Sequence, residues 1–163
     1  MILGMSLAMF TMVHVIISLI AIVAGLIVMF GMLGSKPMPG LTAIFLAFTS
    51  LTSASGFLFS PSLFEKLSPG HVIGILSLVL LAIACFALYR RKLAGAWRWI
   101  YAITALASLY LNVFVLVIQS FLKLPALRAL APSATVVQGM VLVLFVVAII
   151  GVIRRYRPTP TWA

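Results

Sequence analysis

The chain has 163 residues, 65% of them hydrophobic and 7% charged, with eleven Lys and Arg against one acid, Glu65. Soluble domains average about a quarter charged residues and at most about half apolar, so these polar residues are too few to cover a water-soluble globule. That excludes a cytosolic enzyme and a disordered tail, and no basic stripe interleaved with stacking residues stands in a soluble segment to bind nucleic acid.

Covering about 30 Å of hydrocarbon at 1.5 Å per residue takes roughly 20 helical residues. The first apolar tract runs from Met1 to Leu33 without a charge and breaks at Gly34-Ser35-Lys36-Pro37-Met38-Pro39-Gly40. It is longer than a bilayer requires, so helix 1 either begins near residue 4 and protrudes or tilts, or begins near Thr11. It lacks the basic start and short core of a cleaved signal peptide. The second tract runs from Leu41 to Ser60-Pro61, and the third from Pro69 and Gly70 to Tyr89, ended by Arg90-Arg91-Lys92. The fourth runs from Trp97 to Leu122 and the fifth from Ser133 to Ile153, closed by Arg154-Arg155-Tyr156-Arg157. Between the last two, Pro125 to Ala131 reads as a short surface helix. No internal repeat is visible. The expectation is an all-α integral membrane protein, one domain over 1–163, with spans at about 8–33, 41–60, 69–89, 97–122 and 133–153.

Five spans put the termini on opposite sides, and the basic residues choose between them. With a cytoplasmic C-terminus, Lys36, Arg90, Arg91, Lys92, Arg98, Arg154, Arg155 and Arg157 lie inside, while Lys66, Lys123 and Arg128 lie outside. The bias predicts the N-terminus outside. Trp97, Trp99, Tyr101, Tyr89 and Tyr156 then form an aromatic belt at the inner interface.

Polar groups are costly in hydrocarbon, so their depth is informative. His14 on helix 1 and His71 on helix 3 lie at nearly the same height in the outer half. Helix 2 is polar only late, at Thr49, Ser50, Thr52, Ser53 and Ser55. Asn112 and Gln119 on helix 4, and Gln138 on helix 5, share that leaflet. Helical steps place His14 and Ser18 with Ala21 and Gly25, and Asn112 and Gln119 with Ala105 and Ser108, on small-residue faces of the kind that let helices approach closely. The reading is a polar pocket in the outer half.

Two histidines at matched height on parallel helices suit a bis-imidazole metal site. In its sharpest form this is a b-type haem with His14 and His71 as axial ligands, and Ser18, Asn112, Gln119 and Gln138 around the cofactor as supporting hydrogen-bond partners. Met1, Met5, Met9 and Met12 step along one stripe that would suit Cu(I), although His14 falls on another face. Lone Cys85 reads as a small apolar filler and forms no intrachain disulfide. No acid lies within a span, which disfavours a carboxylate-based proton pump, and no metalloprotease, nucleophile-elbow or Walker pattern is present. A Ser68–His71 nucleophilic pair lacks a carboxylate orienter, and Glu65 beside Lys66 reads as a solvated loop pair. Ser68-Pro69-Gly70-His71 reads first as a helix start, with Ser68 capping.

Two other readings compete with a redox centre. One is a non-catalytic subunit packed into a larger membrane complex or homo-oligomer. The other is a quinone or lipid pocket, with His71, Asn112 and Gln138 as donors to a carbonyl. Finally, Thr52-Ser53-Ala54-Ser55-Gly56-Phe57, Gly70-His71-Val72-Ile73-Gly74-Ile75-Leu76-Ser77 and Leu93-Ala94-Gly95-Ala96-Trp97-Arg98-Trp99-Ile100-Tyr101 resemble segments of small bacterial inner-membrane proteins. The resemblance implies that cellular location and brings no activity, ligand or catalytic residue.

Overall fold

The computed structural model describes residues 2–59 and 67–158. Met1, Ser60, Glu65 and Lys66 lie outside the described residues, and with them the solvated loop pair and the stop of helix 2. The described chain is all-helical, and five of its helices are long and apolar enough to cross a membrane.

Helix α1 spans Leu7–Leu33, so it starts between the two expected positions. Ile2 and Met5 exchange backbone hydrogen bonds of 3.0 Å across a tight turn with Leu3 and Gly4 at positive φ. Ser6 then caps the helix by accepting from the Met9 N–H, which satisfies one of the donors a helix start leaves free. At its other end Gly34 and Ser35 turn the chain, and Pro39 opens α2 (Pro39–Gly56) at a position where its missing N–H costs nothing. A 3₁₀ turn, Phe57–Phe59, continues α2. Helix α3 (Pro69–Cys85) runs on through a π-helical stretch, Phe86–Arg90. Helix α4 spans Trp97–Lys123, a short exposed α5 spans Pro125–Arg128, and α6 spans Ala134–Arg155.

Helix α4 is the hub, in contact with α1, α2, α3 and α6, while α1 packs most extensively on α2 and α3 on α4. One close contact explains how three helices meet. A Cβ on Gly25 of α1 would lie 2.6 Å from Leu109 Cδ1 of α4 and 2.8 Å from Phe45 Cδ2 of α2. Only glycine admits both side chains, and Phe45 and Leu109 are both fully buried. In lipid, where apolar burial against neighbouring helices gains little over burial against acyl chains, such close packing carries much of the association. Helix α6 is the least enclosed span and leaves Val136, Met140, Val143 and Val147 exposed.

The core also corrects the expected aromatic belt. Tyr89 and Trp99 are indeed exposed, but Tyr101 and Tyr156 are 1% and 2% exposed and belong to the core cluster with Ala102, Ala105 and Leu88. Tyr101 stands one turn into α4 and is enclosed among Ala102, Ala105 and Leu88, and a ring packed inside the bundle is not available to the interface. Tyr156 follows the last turn of α6, and burial holds its phenol well above the ordinary tyrosine range.

Candidate functional site

The polar side chains of the end carrying α1's N-terminus, the histidine end, are mostly spent on pairwise ties. His14 Nδ1 lies 2.7 Å from Ser55 Oγ, joining α1 to α2. Ser53 Oγ donates to Ser77 Oγ at 3.1 Å, joining α2 to α3. Gln138 Nε2 donates to the Phe114 carbonyl at 2.8 Å, joining α6 to α4. Thr49, Ser50 and Thr52 donate to carbonyls four residues back in their own helix, the local satisfaction that short hydroxyls find in helices.

The two histidines have different tasks. His71 is 3% exposed and completes a capping box: Ser68 Oγ accepts from the His71 N–H, and His71 Nδ1 accepts from the Ser68 N–H at 3.2 Å. Here an imidazole does what Glu or Gln does in the usual box. Its ring stacks on Phe57 at 5.8 Å with an interplanar angle of 7°. His14 is half-buried and meets Phe59 edge-on at 5.1 Å. The 3₁₀ turn after α2 thus supplies an aromatic partner to each imidazole, one from Phe57 and one from Phe59.

These partners decide whether a b-type haem fits. An axial imidazole binds iron through one nitrogen while the other donates a proton to a neighbouring acceptor. In neutral His71, Nδ1 is an acceptor, so the proton sits on Nε2, the reverse of what ligation through Nε2 requires. His71 is also not among the residues lining the groove that contains His14. The residues present do not fit a haem held between the two rings. Among the described residues, no group of three or more His, Cys, Asp or Glu is placed to hold a metal ion. For the copper stripe, Met9 and Met12 are 58% and 65% exposed, facing away from the bundle.

The remaining predicted residues are not gathered into one cavity. Ser18 is half-buried on α1. Asn112 is half-buried with its Nδ2 buried and unpartnered, and Gln138 has its Oε1 in the same condition. Gln119 is exposed, a correction to the inward stripe. The reason lies in helix length: Gln138 meets Phe114 near the start of α6 at Ala134, so at the level of Gln119 that neighbour has run out.

What the structure does assemble is a groove of about 350 Å³ between the ends of α1 and α2, lined by Met5, Phe10, Val13, Ile17, Leu51, Leu58 and their neighbours, with His14 and Ser55 its only polar side chains among the described residues. The Ser55 hydroxyl donates to the Thr52 carbonyl at 3.1 Å. Its oxygen therefore accepts from His14 Nδ1–H, which leaves Nε2 as the ring's acceptor. Ser55 was missed as a specific partner because it looked like one of several late hydroxyls in helix 2. Four-residue steps along α2 from Leu51 through Ser55 were the available signal. No family model, characterised protein or solved structure matches the chain.

Proposed function

We propose that the chain is a multi-pass protein of a cell membrane, the inner membrane of a bacterium, with its N-terminus outside and its C-terminus in the cytoplasm. It binds a lipophilic molecule with a hydrogen-bonding head, a quinol or a hydroxyl-bearing lipid, in the groove between α1 and α2. The observation carrying this reading is an apolar groove with one imidazole acceptor, held in its tautomer by Ser55. Such sites are mostly apolar with a few placed polar groups, and about 350 Å³ lies within the usual range of roughly 300–1,000 Å³. A hydroxyl entering the groove would donate to His14 Nε2 while its apolar body lies along Val13, Ile17 and Leu51.

A photoactivatable quinol analogue kept in its reduced form, crosslinked to the purified protein and mapped by mass spectrometry, tests the reading. Labelling within residues 10–17 and 51–58 that falls at least severalfold in His14→Ala supports it. Labelling spread evenly over the lipid-facing helices overturns it. Orientation is read separately: cysteines introduced at Lys123 and Lys92 in a Cys85→Ala background should react with an impermeant maleimide from outside and inside respectively.

The accessory-subunit reading keeps one observation of its own. The open face of α6 has Gly139 among Val136, Met140 and Val143, and a Cβ there would meet nothing within 4 Å. A small residue on an exposed apolar face is a place where another helix can come close. A protein that purifies only within a larger assembly, and separates from it in Gly139→Leu, would favour that reading.

A further inference from the structure

We propose that the arginine-rich end of the bundle holds a phosphate site, formed by Arg98, Arg157 and Trp99, whose occupant is the headgroup of an anionic phospholipid. It is independent of the groove near His14. A cavity of about 470 Å³ opens there, lined by Leu93, Gly95, Arg98, Trp99, Arg157 and Pro158.

Among the described residues the charges in this cavity have no carboxylate counterion. Two guanidiniums line it, and the chain's one acid, Glu65, lies outside the described residues. Arg98 Nε is buried with no hydrogen-bond partner among the described residues, and a buried donor left unmade is expensive. Arg98 is also the second residue of α4, a helix that starts with neither an acid nor a side-chain cap. The positive end of the helix dipole opposes a cation there and favours an anion. One phosphate would answer all three: it pairs with both guanidiniums, accepts from Arg98 Nε and sits at the helix N-terminus. Guanidinium forks suit phosphate oxygens geometrically.

The frame around the cavity is held by the fold. Tyr156 is buried, and the Arg157 N–H donates to Ser35 Oγ at 2.8 Å, which fastens the chain beside the turn between α1 and α2. On the other side buried Leu93 anchors the turn before α4, and Gly95, at φ +56°, forms the rim. The surroundings favour a lipid over a soluble ion. Trp99 is 48% exposed with the Arg98 guanidinium 5.8 Å from its ring centroid, and tryptophan at a span's end sits at headgroup level. Leu93, Trp99 and Pro158 offer apolar contact to a glycerol backbone, and Arg154 and Arg155 nearby attract anionic lipid.

The test is native mass spectrometry of the full chain in mild detergent, titrated with phosphatidylglycerol or phosphatidylcholine. The expected result is preferential retention of phosphatidylglycerol, weakened roughly fivefold in each of Arg98→Gln and Arg157→Gln, less in Arg98→Lys, and unchanged in Arg128→Gln at the opposite end. Excess inorganic phosphate should not displace the lipid. Equal retention of the two lipids, or equal loss in Arg128→Gln, overturns the site, and displacement by inorganic phosphate overturns the lipid as its occupant. Should Arg98→Gln unfold, the terminal Arg157→Gln and the charge-keeping Arg98→Lys carry the decision.

Discussion

At the histidine end, neighbouring helices are tied by single hydrogen bonds between side chains or to a carbonyl: His14 to Ser55, Ser53 to Ser77, Gln138 to Phe114. Toward the arginine-rich end they close instead on small residues and buried rings: Gly25 under Phe45 and Leu109, Ala84 and Ala105 in the core, Tyr101 and Tyr156 enclosed. The difference bears on function. Hydrogen-bonded ties tolerate a gap between the helices they join, and the apolar groove lies along one of them. Close packing leaves no room within the bundle, so the other cavity forms at its rim, where Arg98 and Arg157 collect.

Substitutions should separate the two regimes. The largest effect is expected at Gly25→Val, where the added carbons overlap Leu109 and Phe45 and should cost about 3 kcal/mol, read as loss of folded protein in thermal unfolding in detergent. If Gly25→Val unfolds like the wild type, the three-helix contact is not what closes the bundle. Next, His71→Ala keeps the Ser68 cap but loses the reciprocal bond from the Ser68 N–H and should cost about 1 kcal/mol, and His71→Gln should restore most of it because an amide can also fill the third position of a capping box. A His71→Gln variant no better than His71→Ala would mean that the imidazole serves something other than the helix start.

A smaller effect is expected for the ties themselves. Ser55→Ala and Ser53→Ala should each cost about 0.6 kcal/mol and no more than about 1.7 kcal/mol, with a double-mutant cycle of Ser53 and Ser77 giving a coupling of that size. Coupling near zero would assign the cohesion of this end to packing alone. The smallest effect concerns pH. Because burial raises the Tyr156 phenol in the folded protein, the unfolded chain loses that proton first. The tyrosine's contribution is therefore intact below about pH 10 and is lost as pH rises further. Tyr156→Phe should flatten the alkaline decline in melting temperature relative to wild type.

Much of the axial arrangement was legible in the sequence. The breaks at Gly34 to Pro39, at Ser68-Pro69 and at Arg90 to Lys92 are local chain chemistry, and the observed spans begin and end at or near them. The Ser68 cap was readable for the same reason. The pairing of polar groups was not. Residue counting puts His14 and His71 at one expected height, yet His14 binds Ser55 while His71 closes its own helix start. Gln119 follows the stripe of Asn112 by helical phase but lies beyond the start of α6. Tyr101 and Tyr156 looked like interface residues because a ring near a span's end is written the same way whether it faces lipid or a neighbouring helix.

Composition and hydropathy alone determined an all-helical chain with five helices long and apolar enough to cross a membrane, since the rise per residue and the need to satisfy backbone N–H and C=O groups are properties of each segment by itself. Only the tertiary structure decided azimuth and partnership: which residue faces His14, which ring is enclosed, and which two arginines border one cavity. The physical reason is that lipid and protein interior are equally apolar, so a spanning helix carries little amphipathic signal about its inward face. Contacts as close as that of Gly25 with Leu109 are what choose it.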